Sequence, residues 1–244
     1  MKKLILILSF AALAFADVVD KSSEHKSFAG VHELIIDNVN GFIEVTGTSE
    51  TGTVELDVAK TLKARSQDRL ALAKKEVKLD VTQEGGLLRL RVEGRFRDHG
   101  HVGYEASFDF KVRVPRDIHF EIDNVNGTID MRDMDGSGDA RTVNGSVKAV
   151  FAQNPKAPLS FRSVNGTLDV TFRPDLNANA RMTTVNGGVY TDFPVSLAGD
   201  RPEQRDGKFV WRSPRLGPVR IGNGGPELRF ETVNGDVLIK NRER

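Results

Sequence analysis

The residues able to do chemistry in this chain are few: five histidines, no cysteine and scattered carboxylates. Without a thiol there is no thiolate nucleophile and no disulfide. His99 and His101 flank Gly100 in a polar stretch, with Asp98 and Glu105 close by. A His-x-His pair can hold a transition metal, but structural sites usually close with four ligands at characteristic spacing, which this stretch does not supply. His25 falls in an N-terminal segment, and His32 and His119 occupy strand positions beside apolar neighbours, where they read as outward-facing surface. Asp130, Asp133 and Asp135, followed by Gly136, imitate the start of a calcium loop. The EF-hand spacing and its closing Glu are missing, so a turn is expected. No Gly-x-Ser-x-Gly elbow, His-Glu-x-x-His pair or phosphate-cradling loop occurs, and Gly222-Asn-Gly-Gly225 precedes a strand and reads as a turn. The expectation is therefore no catalytic, cofactor-binding or metal-ligating residue, and a protein that is not an enzyme.

What the chain does carry is a repeat, the first thing to seek in any sequence. Val-Asn-Gly occurs six times, at Asn40, Asn126, Asn144, Asn165, Asn186 and Asn234, followed by Gly41, Gly127, Gly145, Gly166, Gly187 and Gly235. The middle four asparagines are spaced 18, 21 and 21 residues apart, with 86 before them and 48 after. Apolar residues recur four before the Asn (Ile36, Ile122, Phe161, Met182, Phe230) and three after it (Ile43, Ile129, Val147, Leu168, Val189, Val237). Such spacing means strand, Asn-Gly step, strand.

Two architectures can carry this unit. A two-residue Asn-Gly hairpin of type I′ would pair the flanking strands antiparallel. It would make the position two before the Asn apolar, yet Asn38, Asn124, Thr142, Ser163, Thr184 and Thr232 stand there. A β-solenoid, or parallel β-helix-like repeat of about 20 residues per coil, turns the Asn-Gly into a corner. The Val before each Asn then points inward, and the asparagines of successive coils, about 4.8 Å apart, hydrogen-bond in a ladder. The β-solenoid is the favoured fold class, all-β with one short helix. An antiparallel hairpin meander or sandwich is the alternative.

Around the repeat the organisation is read as follows. Lys2, Lys3 and the apolar run Leu4 to Phe15, ending Ala14-Phe15-Ala16, predict a signal peptide over 1–16. Residues 17–27 are expected to be a flexible mature N-terminus, and 28–240 a single β repeat domain. Within it, 28–115 is an N-terminal β segment with a helix near 66–77, capped by Ser66, with Asp68 in its first turn and Lys74 and Lys75 in its last. Residues 116–240 hold the Val-Asn-Gly units, with an insertion near 196–226 that includes Trp211. No stretch of the mature chain is long and apolar enough to span a bilayer. The formal net charge of +1 leaves no electrostatic footprint for nucleic acid. Arg141, Arg162, Arg181 and Arg229 precede the Asn by three or five residues and are expected to form a basic stripe able to meet an anionic glycan or a partner's carboxylates. Asp123, Asp130, Asp169 and Asp236 lie beside the motif and read as a solvated outer face.

The Val-Asn-Gly units, with Val114-Pro-Arg-Asp117 leading into Phe120-Glu-Ile-Asp-Asn-Val-Asn-Gly127, resemble the bacterial "putative adhesin" domain families. So does the Asn38-Val-Asn-Gly41 unit followed by a charged helix. The resemblance extends over roughly residues 28 to 240 and implies a β-solenoid-like fold and an envelope location, with no catalytic residues to carry over. The expected function is that of a non-catalytic exported envelope protein, periplasmic or at the cell surface. It would be an adhesin-like binding or scaffold module without a cofactor, whose partner is a surface polymer or protein. Self-association through exposed strand edges at the solenoid ends is a further expectation. The alternatives are a β-helix carbohydrate-active enzyme of lyase or hydrolase type, which needs carboxylates converging in one cleft, and a regulatory partner of an envelope stress system.

Overall fold

A computed structural model describes residues 17–49, 52–94, 103–197, 204–205, 208–209 and 218–243. The predicted signal peptide at 1–16, His99, His101 and Trp211 lie outside them. The N-terminal part contributes β1 (Val18–Ala29), β2 (Glu33–Asp37), β3 (Ile43–Thr48), β4 (Thr53–Ala64), α1 (Gln67–Glu76), β5 (Lys78–Glu84), β6 (Leu87–Glu93) and β7 (Tyr104–Pro115). Then follow β8 (His119–Asn126), β9 (Ile129–Met134), β10 (Gly138–Asn144), β11 (Val147–Phe151), β12 (Leu159–Asn165), β13 (Leu168–Phe172), β14 (Ala178–Asn186) and β15 (Val189–Thr191). The insertion holds β16 (Val195–Leu197), the two-residue strands β17 (Gln204–Arg205) and β18 (Lys208–Phe209), and β19 (Val219–Ile221). β20 (Glu227–Asn234) and β21 (Val237–Asn241) end the described chain.

These strands form two large mixed sheets. The first has nine strands in the order β1-β4-β7-β3-β9-β11-β13-β21-β15, the second ten in the order β16-β19-β14-β20-β12-β10-β8-β2-β6-β5. Alternation explains the layering. β12 buries Leu159, Phe161 and Ser163, and β13 buries Leu168, Val170 and Phe172, so each sheet turns one apolar face toward a shared core. Each Asn-Gly step carries the chain from the second sheet to the first, as from β8 to β9 and from β12 to β13.

The β-solenoid expectation is overturned. Both sheets are mixed and open: β1 with β4, β4 with β7, and β5 with β6 pair antiparallel, and β19 runs antiparallel to both β14 and β16. Chain order is not stacking order either, because β20 lies between β12 and β14, and β21 between β13 and β15. Similar units need not be spatial neighbours. The long interval after Asn186 lets the last unit return between earlier strands in both sheets, a displacement the spacing alone does not encode. Of the alternatives, the sandwich describes the layers, whereas the hairpin does not describe the Asn-Gly steps, since the strands they join sit in different sheets.

Residues 17–27 also need correction: they are not a loose leader but most of β1, paired along its full length from Val18↔Ala64 to Ala29↔Thr53. β1 is mostly polar, and its backbone pairing with β4 supplies what its side chains do not. The helix starts where Ser66 accepts a hydrogen bond from the Arg69 backbone N, and Leu70 and Ala73 are its buried side chains. Val77, its C-cap, is fully buried.

Candidate functional site

The six Asn-Gly steps lie along one edge of the molecule. Asn126 Nδ2 donates to Asn40 Oδ1 at 2.8 Å, Asn144 to Asn126 at 2.8 Å, Asn165 to Asn144 at 2.8 Å, Asn234 to Asn165 at 2.7 Å and Asn186 to Asn234 at 2.7 Å. The strands carrying them pair parallel and in register, as in Asn144↔Asn126, Asn165↔Asn234 and Asn186↔Asn234. The backbone repeats the pattern, with Gly127 N donating to Asn144 O and Gly145 N to Asn165 O. The glycines are required by proximity: a Cβ built on Gly127, Gly145, Gly166, Gly187 or Gly235 would lie 1.8–2.2 Å from the Gly carbonyl oxygen of the adjacent strand, and one on Gly41 2.1 Å from Phe108 O.

Sequence reasoning misplaced the two residues before the Asn. The Val expected inside is outside: Val125, Val143, Val164, Val185 and Val233 are 36–69% exposed. The polar residue before it is inside, with Asn38, Asn124, Thr142, Ser163 and Thr232 buried and Thr184 half-buried. Strand alternation simply continues up to the corner. Five of these polar side chains donate to carbonyls there: Asn124 to Gly41 O, Thr142 to Gly127 O, Ser163 to Gly145 O, Thr184 to Gly235 O and Thr232 to Gly166 O, all at 2.9–3.0 Å. Asn38 donates to Phe108 O at 3.1 Å. The readable signal was the exclusive use of short side chains with a donor at that position. Replacing Thr142 by Val keeps the shape but withdraws a buried hydroxyl from the Gly127 carbonyl. The expected loss is about 1–2 kcal/mol, measured as a lower urea midpoint with an unchanged m-value.

The predicted arginine stripe divides. Arg141 stands beside Arg162, and Arg181 beside Arg229, but the first pair lines up with Glu231 and Asp123 rather than with the second pair. Arg141 is held by both oxygens of Asp123 at 2.8 Å, Arg162 by Asp139 at 3.1 Å and Arg229 by Glu231 at 2.7 Å. The outer surface of the second sheet there is a mixed-charge lattice, and exposed pairs of this sort add little stability. Arg132 is likewise paired with Asp130, whose carboxylate holds the guanidinium above its ordinary value by hydrogen bond and then by charge. Asp169 pairs with Lys240 at 2.8 Å.

The three described histidines have separate partners and surroundings. His25 meets Asp57 at 2.7 Å, His119 meets Ser137 at 3.4 Å, and His32 is exposed near Gly86. Among the described residues no group of three or more His, Asp or Glu could hold a metal ion. Nor is any helix there long and apolar enough to cross a membrane.

No family model matches the chain, and no curated protein does. Solved structures do. A protein from Clostridium sporogenes described as a "putative cell adhesion protein" superposes with a TM-score of 0.56 at 11% identity, covering 91% of this chain and all of its own. "Putative adhesins" from Bacteroides fragilis (TM-score 0.33, 11% identity, 91% and 97% covered) and Parabacteroides merdae (TM-score 0.27, 8% identity, 90% and 95% covered) align over similar lengths. The chain thus shares its fold with a protein described in terms of cell adhesion, the same group its Val-Asn-Gly units resemble.

Proposed function

We propose that this protein is an exported, non-catalytic, adhesin-like module that binds a polymer or protein of the bacterial envelope through its Asn-Gly edge. One observation carries the reading: five exposed valines stand side by side on adjacent parallel strands, next to a continuous row of amides. Isolated surface valines need no explanation, but a contiguous apolar row marks a contact surface. The carboxamide row beside it offers groups able to hydrogen-bond a partner's hydroxyls or amides. The rigid strand backbone fixes both rows before binding, which lowers the entropic cost of association.

The test is sedimentation of the purified protein with envelope preparations from the source bacterium. Replacing Val143, Val164 and Val233 together by Lys is expected to weaken binding at least tenfold with the circular dichroism unchanged, because these side chains already face water. Undiminished binding by the triple variant, or no binding by the wild-type protein, overturns the reading.

A further inference from the structure

β4 buries every second residue: Val54, Leu56, Val58, Leu62 and Ala64 all face the core. Lys60 falls in that same row, the position where the pattern calls for an aliphatic side chain. Its cross-strand neighbours are Ser22 on β1 and Phe108 on β7, and its Nζ sits 5.5 Å from the Phe108 ring centre. One of its three N–H groups goes to the Val77 carbonyl at 2.6 Å, at the C-terminal end of α1. Among the described residues its side chain makes no other hydrogen bond.

Lys60 lines a cleft of about 320 Å³ between β1 and β4 on one side and the junction of α1 with β5 on the other. Lys26, Lys74, Lys78 and Glu24 line it as well. Lys26 is paired with Glu24 at 2.8 Å and Lys74 with Asp20 at 2.6 Å. Among the described residues Lys60 and Lys78 have no carboxylate in ion-pair range. The cleft therefore holds an excess of two positive charges, with the Ser22 hydroxyl beside them. Burial holds the Lys60 ammonium below its ordinary value; Asp20 and Glu24 counteract this and Lys74 adds to it. A half-buried lysine in a row of otherwise buried aliphatic residues, lining a cleft of ligand size, fits a binding site.

We propose that this cleft binds a dianionic phosphomonoester group, seated between Lys60 and Lys78. The two ammonium groups that lie outside ion-pair range of the described carboxylates match the charge of one such dianion, and both act as point-charge donors to its oxygens. The site shares no residue with the valine row, so either reading stands or falls without the other.

The probes are inorganic phosphate, glycerophosphate and phosphatidylcholine vesicles containing phosphatidic acid, each titrated into the full chain. Calorimetry and the Lys ¹⁵Nζ resonances supply the readouts. Binding of glycerophosphate with a shift of the Lys60 resonance identifies a soluble ester as the source; binding confined to the vesicles identifies a lipid headgroup. Lys60→Met and Lys78→Met are each expected to weaken binding at least tenfold, and Lys21→Met, whose side chain alternation places on the face of β1 opposite Ser22, to leave it unchanged. Lys78 is exposed, so its variant reports on the site even if Lys60→Met perturbs the helix end. The proposal is overturned if no probe binds, if only inorganic phosphate binds, or if binding survives both cleft variants.

Discussion

Gly166→Ala is expected to cost about 3 kcal/mol or more, a fall in Tm of roughly 10 °C for a domain of this size. A Cβ at this position would lie 1.8 Å from the Gly145 carbonyl oxygen and 2.4 Å from its carbon. Both are backbone atoms on the adjacent strand, so no flexible side chain can swing aside. Relief requires prising β12–β13 away from β10–β11. That movement would stretch the hydrogen bonds from Asn165 Nδ2 to Asn144 Oδ1 and from Gly145 N to Asn165 O. The residue is not held in a left-handed conformation, so the penalty comes from proximity alone. Gly85 supplies the comparison: it sits in a positive-φ turn with nothing within 4 Å of its virtual Cβ. Gly85→Ala should therefore lose only the conformational preference, about 1 kcal/mol. If the two variants melt alike, close approach is not what these corners require.

The legible part of the fold was local. The Asn-Gly steps, their flanking apolar positions and the Ser66-capped helix all follow from interactions within a few residues, which sequence patterns encode directly. The order of strands was not legible, because β20 pairs with β12 and β14 through register and core fit that no short-range pattern records. β1 was missed for a related reason. Its polar sequence reads as loop, and only the exposed edge of β4 makes it a strand. The facing of the Val and the polar residue before it was readable in principle. Continued alternation buries a Thr, Ser or Asn, a burial that is costly alone but is offset where a carbonyl waits to accept its hydrogen bond. Lys60 gives no signal of its own in the sequence, because a lysine between Val58 and Leu62 interrupts the apolar alternation that Leu62 and Ala64 resume.

Phe161 is where the core should prove most sensitive. It lies on β12 of the second sheet and stacks on Phe230 of the neighbouring strand, centroids 5.7 Å apart. It also meets Phe151 of the opposite sheet edge to face at 6.2 Å, and Phe151 stacks on Phe172 at 5.1 Å. One ring therefore ties a strand pair together and joins the two layers. Phe161→Ala removes both contacts and leaves a void between side chains that are themselves fully buried. The expected loss is about 3–5 kcal/mol, whereas Phe161→Leu, which refills much of the space, should lose about half as much. Val164→Ala on the same strand removes only exposed surface and should stay within about 0.5 kcal/mol of the parent. Equilibrium urea denaturation of the three variants distinguishes the cases. A Phe161→Ala midpoint close to that of Val164→Ala would mean that the two sheets are not held together through this aromatic cluster, and that the strand pairing alone sets the stability of the fold.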